Sequence, residues 1–97
     1  MPTYISLINW TDQGVGSFKE TVARAKAAEE LAQRMGGSIT ATYWTVGPYD
    51  IVSIGQFPDD ETGTAFLLAI GSGGNIRTTT LRAYNADEMT GIIRKLG

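Results

Sequence analysis

Thr42-Tyr43-Trp44-Thr45-Val46-Gly47-Pro48-Tyr49-Asp50-Ile51-Val52-Ser53-Ile54-Gly55-Gln56-Phe57 is the stretch around which this chain is organised. Gly47-Pro48 separates two runs rich in β-branched and aromatic residues, the composition of strands. Glycine tolerates positive φ and proline fixes φ, so the dipeptide marks a turn. The two runs, residues 38–45 and 50–57, therefore read as a central hairpin with its loop at a rim of the molecule. Aromatics crowd the junction, and one carboxylate, Asp50, opens the second run.

Upstream, residues 3–10 (TYISLINW) predict a first strand with bulky apolar groups on both faces, hence a strand buried on both sides. Ser17-Phe18-Lys19-Glu20 matches the S-x-x-E capping box, which predicts a helix start with Ser17 as N-cap. Beyond it Phe18, Val22, Ala25, Ala28, Leu31, Ala32 and Met35 fall on one helical face. Glu20/Arg24 and Glu30/Arg34 are oriented for ion pairs one turn apart, and Gly36-Gly37 supplies the left-handed stop.

Downstream, Asp59 is the expected N-cap of a second helix whose body, residues 65–70, is apolar all round. A helix with no polar face asks for burial on more than one side, which points to a partner subunit. A glycine-rich loop and a fourth strand over residues 75–84 follow. Asn85 then caps a tail helix with Met89, Ile92, Ile93 and Leu96 on one face. The order is α+β: a ferredoxin-like βαββαβ unit plus a C-terminal helix, one domain over residues 1–97. Helices on one face of such a sheet leave the other face open, and two sheets pairing face to face would cover it.

Composition removes several function classes. The chain has no cysteine and no histidine, so thiol chemistry, disulfides and the commonest metal ligands are excluded. Acid–base work would fall to Asp, Glu, Lys or Tyr with a shifted pKa. Asp59-Asp60-Glu61 are accounted for as helix caps, so no metal and no cofactor are expected. A net charge of −2 argues against nucleic acid. No apolar run is long enough to span a membrane and no leader peptide is visible, so the expected location is the cytoplasm.

Gly47-Pro48-Tyr49-Asp50-Ile51-Val52, preceded by Tyr43-Trp44-Thr45-Val46, resembles the GYD domain family. So do Gly74-Asn75-Ile76-Arg77-Thr78-Thr79-Thr80-Leu81-Arg82-Ala83 and the opening Met1-Pro2-Thr3-Tyr4-Ile5. The resemblance covers nearly the whole chain and implies a dimeric α+β barrel built on a ferredoxin-like unit, in a family without a settled biochemical function. A wider similarity runs to the effector-binding domain of leucine-responsive-type regulators, through Gly47, Tyr49, Asp50 and Gly74. It implies small-molecule binding at a subunit interface, although no helix-turn-helix precedes the domain here.

The candidate ligand-binding residues are Tyr43, Trp44, Tyr49, Asp50, Arg77 and Arg82. The aromatics supply pocket walls or, in the plainer reading, cross-strand packing. Asp50 is either a base or ligand anchor, or a side chain bonded to turn amides as in an Asx-turn, and turn chemistry favours the second. Arg77 and Arg82, five residues apart, fall on opposite faces, so they form no single clamp; one of them facing the barrel would hold a carboxylate. Gly14-Val15-Gly16-Ser17 precedes a helix, a position suited to anions, but the third glycine of a dinucleotide fingerprint is replaced by Lys19. The expected function is a homodimeric or higher-order module binding a small anionic or apolar molecule at the barrel or subunit interface. A cofactor-independent isomerase- or oxygenase-like enzyme and a purely structural oligomer are the alternatives.

Overall fold

Strand β1 (Thr3–Trp10) lies inside the sheet and pairs antiparallel on both edges, with Ser6 opposite Ser53 on one side and Thr80 on the other. The computed structural model describes residues 1–97. After β1 come α1 (Asp12–Gly16), a 3-10 turn (Phe18–Glu20), α2 (Thr21–Arg34), β2 (Ser38–Trp44), β3 (Ile51–Gln56), α3 (Asp60–Gly71), β4 (Ile76–Ala83) and α4 (Ala86–Arg94). The sheet order β2-β3-β1-β4 is the ferredoxin-like arrangement expected from the element order. No helix is long and apolar enough to cross a membrane.

The hairpin forms around Gly47, at φ +131°, and each strand is one residue shorter at the loop than the hydrophobic pattern predicts. Thr45 closes the loop, its amide donating to the Asp50 carbonyl at 2.8 Å and its hydroxyl to the Tyr49 carbonyl at 2.6 Å. A bulge between Ile39 and Ala41 shifts the register of β2 against β3.

The start of α2 differs from the sequence expectation. Thr11 caps the short α1 instead, its Oγ1 accepting from the Gly14 amide at 3.1 Å. Ser17 makes no capping bond; its hydroxyl donates back to the Gln13 carbonyl at 3.0 Å. Arg24 explains why the box fails. Its guanidinium bonds Ser17 Oγ at 2.8 Å and Glu20 Oε2 at 2.9 Å, so both would-be capping groups are taken by a charged donor, the stronger partner. Glu30 and Arg34 do not pair; the ion pairs are Arg24–Glu20 and Arg82–Asp60.

The end of α2 follows its sequence closely. Gly36 is left-handed at φ +84°, Gly37 N–H donates to the Ala32 carbonyl at 2.9 Å, and Gly36 N–H to Gln33 at 3.1 Å, the bonds of a Schellman motif. Asp59 caps α3 as expected, accepting from the Thr62 amide at 2.7 Å. That bond holds its carboxyl below the usual aspartate range. Asn85 and Glu88 form a reciprocal capping box on α4.

Helices α2 and α3 cover the face carrying Tyr4, Ser6, Ile8 and Trp10. The packed core sits toward the Tyr4 end: Ala32, Phe57 and Phe66 are buried, with the Phe57 and Phe66 rings 4.9 Å apart. The opposite face presents Ile5, Leu7, Val52 and Ile54, which this single chain leaves half-buried, and Leu81, which is exposed. α3 is likewise covered on one side only, with Phe66 buried and Leu68 70% exposed. α4 stands apart, with Met89, Ile92, Ile93 and Leu96 exposed. The radius of gyration is accordingly 14.6 Å, against roughly 12.5 Å expected of a compact chain this long.

Two glycines test this packing. A Cβ on Gly37 would lie 2.4 Å from the Gln56 carbonyl oxygen and 2.5 Å from the Phe57 ring, whereas one on Gly91 meets open space. Gly37→Ala is expected to lower stability by about 1–3 kcal/mol in urea unfolding, while Gly91→Ala, which relieves a helix-interior glycine, lowers it not at all.

Candidate functional site

Small side chains facing each other open a cavity between α2 and the sheet. α2 turns Ala25 and Ala28 toward the strands, and the sheet answers with Ser6, Thr42, Ser53 and Thr80, so neither surface fills the gap. The resulting cavity has a volume of about 420 Å³. Ile8, Ile51, Leu31 and Phe66 supply apolar wall, with Trp10 and Ile76 at one end and Tyr4 and Phe57 at the other. The charged side chains along it are Arg24 and Arg34, both on α2, and no Asp or Glu lines it.

The residues singled out from the sequence are not brought together around this space. Register places Tyr43 opposite Val52 and Arg77 opposite Asn9, on the face away from the helices, and both are exposed. Trp44 lies on the helix side, donating its indole N–H to Thr21 Oγ1 at 2.9 Å; Thr21 touches the cavity and Trp44 does not. Tyr49 sits in the loop beyond the rim. Arg82 pairs across from Tyr4, opposite in face to Arg77 as the odd spacing requires. Its guanidinium stacks 4.5 Å from the Tyr84 ring, donates to the Ala83 carbonyl at 2.6 Å and lies 4.0 Å from Asp60.

Asp50 joins the hairpin to the end of β1. Its amide donates to the Ile8 carbonyl at 2.9 Å, and its Oδ2 accepts the Trp10 amide at 2.9 Å. The carboxylate thus takes the place of a ladder carbonyl just before β3 begins, and it bonds an amide from a distant strand rather than one in its own turn. This bond fixes the Trp10 end of the cavity wall.

At the other end, the Tyr4 hydroxyl donates to Asp60 at the N-terminus of α3. Burial, then this bond and the Asp60 charge, push the phenol pKa up to about 12, partly offset by Arg82. No cluster of acidic side chains is arranged to hold a metal ion.

The hydroxyls and alanines that shape the cavity are the residues sequence reasoning missed. Their signal was register: Thr42, Ser53, Ser6 and Thr80 come from four different strands, and only pairing sets them side by side.

Comparison with known proteins gives a consistent result. The GYD domain family model matches residues 4–93. A Thermus thermophilus protein named "Glutamine synthetase and cystathionine beta-lyase binding protein" is 34% identical over 84 residues, covering 86% of this chain and 88% of its own. Among solved structures, the crystal structure of TTHA0845, also from Thermus thermophilus, superposes with a TM-score of 0.58 at 26% identity, covering 89% of this chain and 96% of that one.

Two measurements check the geometry at the cavity ends. Asp50→Asn keeps an acceptor for the Trp10 amide and is expected to cost about 1 kcal/mol of stability, and Asp50→Ala, which removes it, about 1–3 kcal/mol. For Tyr4, a folded pKa of about 12 against an ordinary 10.0 means the neutral phenol is favoured by folding. Its stabilisation is therefore complete below pH 10 and disappears as pH rises through 12. Denaturation midpoints across that range should fall in wild type, and the Tyr4 part of the fall should be missing in Tyr4→Phe.

Proposed function

This chain belongs to the GYD domain family, and on that premise we propose that it is a small cytoplasmic binding module that takes an apolar ligand of low molecular weight between α2 and the sheet. The observation that carries the proposal is the cavity. Its volume of about 420 Å³ falls within the roughly 300–1,000 Å³ typical of small-molecule sites, and its mostly apolar lining with a few polar groups is the expected composition. Binding is preferred to catalysis because no carboxylate or imidazole lines the space and the Tyr4 hydroxyl is committed to Asp60.

The module is proposed to act as a homodimer. Ile5, Leu7, Val52, Ile54 and Leu81 form an apolar centre on the helix-free face, and a second copy offers the same patch to it. A second reading, binding to another protein, is favoured by the uncovered apolar side of α4 and by the name of the Thermus relative, which describes binding to enzymes.

Native mass spectrometry of protein purified from its own host tests the first reading. Wild type should carry a small-molecule mass increment, and Ala28→Phe, which fills the cavity, should lose it while keeping its circular dichroism spectrum. An increment that persists in a folded Ala28→Phe would place the ligand elsewhere. Light scattering at micromolar concentration should give a dimer that Leu7→Arg dissociates. A folded wild-type monomer would end the dimer proposal without touching the cavity.

A further inference from the structure

The cavity floor has a chemistry of its own, and from it we propose the class of ligand: a neutral, elongated apolar molecule with one hydrogen-bonding oxygen part-way along it. The proposal rests on reading the cavity as a binding site. Thr42, Ser53, Ser6 and Thr80 stand directly opposite one another, one from each strand, and form a rung of hydroxyls across the full width of the sheet. All line the cavity. The next rung toward Trp10 holds Trp44, Ile51, Ile8 and Thr78, of which Ile51 and Ile8 line the cavity; the next toward Tyr4 holds Ile39, Gly55, Tyr4 and Arg82, of which the first three line it. Within the cavity the hydroxyl band is thus flanked about 7 Å away along the strands by Ile51 and Ile8 on one side and by Ile39 and Gly55 on the other, where the Tyr4 hydroxyl is already given to Asp60.

Hydrogen-bond arithmetic leaves donors free in this band. Ser6 Oγ and Thr80 Oγ1 lie 3.1 Å apart, so one proton joins the pair and the other hydroxyl proton is free to point into the cavity. Ser53 and Thr42 extend the same row. On α2, Ala25 and Ala28 offer only methyl groups, and the polar lining residues are Thr21, which accepts the Trp44 indole N–H, Arg24, which is bonded to Ser17 and Glu20, and Arg34.

Charge selects between a neutral oxygen and an anion. An anion at the rung would be removed from water with no counter-charge beside it, which is costly. The arginines along the wall do not supply one. Arg24 is held by Glu20 at 2.9 Å, and Arg34 is exposed in the last turn of α2, where the helix dipole already favours a cation. A ketone, an amide carbonyl or a hydroxyl needs no counter-charge and accepts the available proton directly.

The test uses Nile red, a neutral planar dye with one ring carbonyl whose emission shifts to the blue when a hydrogen bond to that carbonyl is lost. Wild type should bind it saturably. Ser6→Ala/Ser53→Ala should weaken binding roughly tenfold, the worth of one such bond, and shift the bound emission to the blue with the melting temperature held within a few degrees. Gly91→Ala, on α4 where an added Cβ meets open space, should change neither. Displacement of the dye should need far less 2-dodecanone than dodecanoate. Loss of dye binding in folded Ala28→Phe with no effect of the serine changes would overturn the rung proposal and leave the cavity reading intact. Equal displacement by dodecanoate would overturn the neutral class. Saturable binding that survives in a folded Ala28→Phe, or no binding to wild type, would remove the cavity reading and this proposal together.

Discussion

The register of β1 against its two neighbours is the constraint on which the rest of the molecule depends. Once Ser6 stands opposite Ser53 and Thr80, every side chain of β1, β3 and β4 is assigned to a face, because strand side chains alternate strictly. A slip of one residue would send Tyr4, Ile8 and Trp10 away from the helices and bring Ile5 and Leu7 beneath them. Phe57 locks the choice. It stacks against Phe66 from α3 and lies beside Tyr4 from β1, so the aromatic contacts and the ladder agree on the same register.

The charged groups serve this architecture. Arg24 gathers Ser17 and Glu20 and shapes the entry to α2; Asp50 replaces a ladder acceptor at the end of β1; Arg82 and Asp60 clasp Tyr4 where α3 begins. Each sits at an end of the helix-facing layer. Between them the layer holds alanines and hydroxyls, and a chain this small keeps an open cavity there rather than a filled core. The few buried residues, Ile8, Ala32, Ile51, Phe57 and Phe66 among the hydrophobics, show how little of the apolar surface one copy covers. That shortage links the cavity, the bare sheet face and the projecting α4: each is apolar surface that one copy of the chain leaves uncovered.

Local sequence chemistry set the four strands, the two long helices and the tail helix in their order, but not the short α1 or the 3-10 turn before α2. Helix caps at Asp59 and Asn85, the double-glycine stop after α2 and the Gly47-Pro48 turn are local chemistry, decided within a few residues, and all appear where the sequence places them. The ferredoxin-like order and the family resemblance rest on the same local signals. Local reasoning failed at Ser17, where a capping box lost its partners to Arg24, one helical turn beyond Glu20. The tertiary structure alone decided which residues share a site. Tyr43 and Arg77 lie on the far face from Arg82, and Asp50 bonds an amide forty residues upstream. The hydroxyl rung likewise needs Ser6 and Thr80 to meet across seventy-four residues of chain. Such neighbours are set by strand pairing and by the face the helices cover, and these long-range choices leave no periodicity in the sequence from which they can be read.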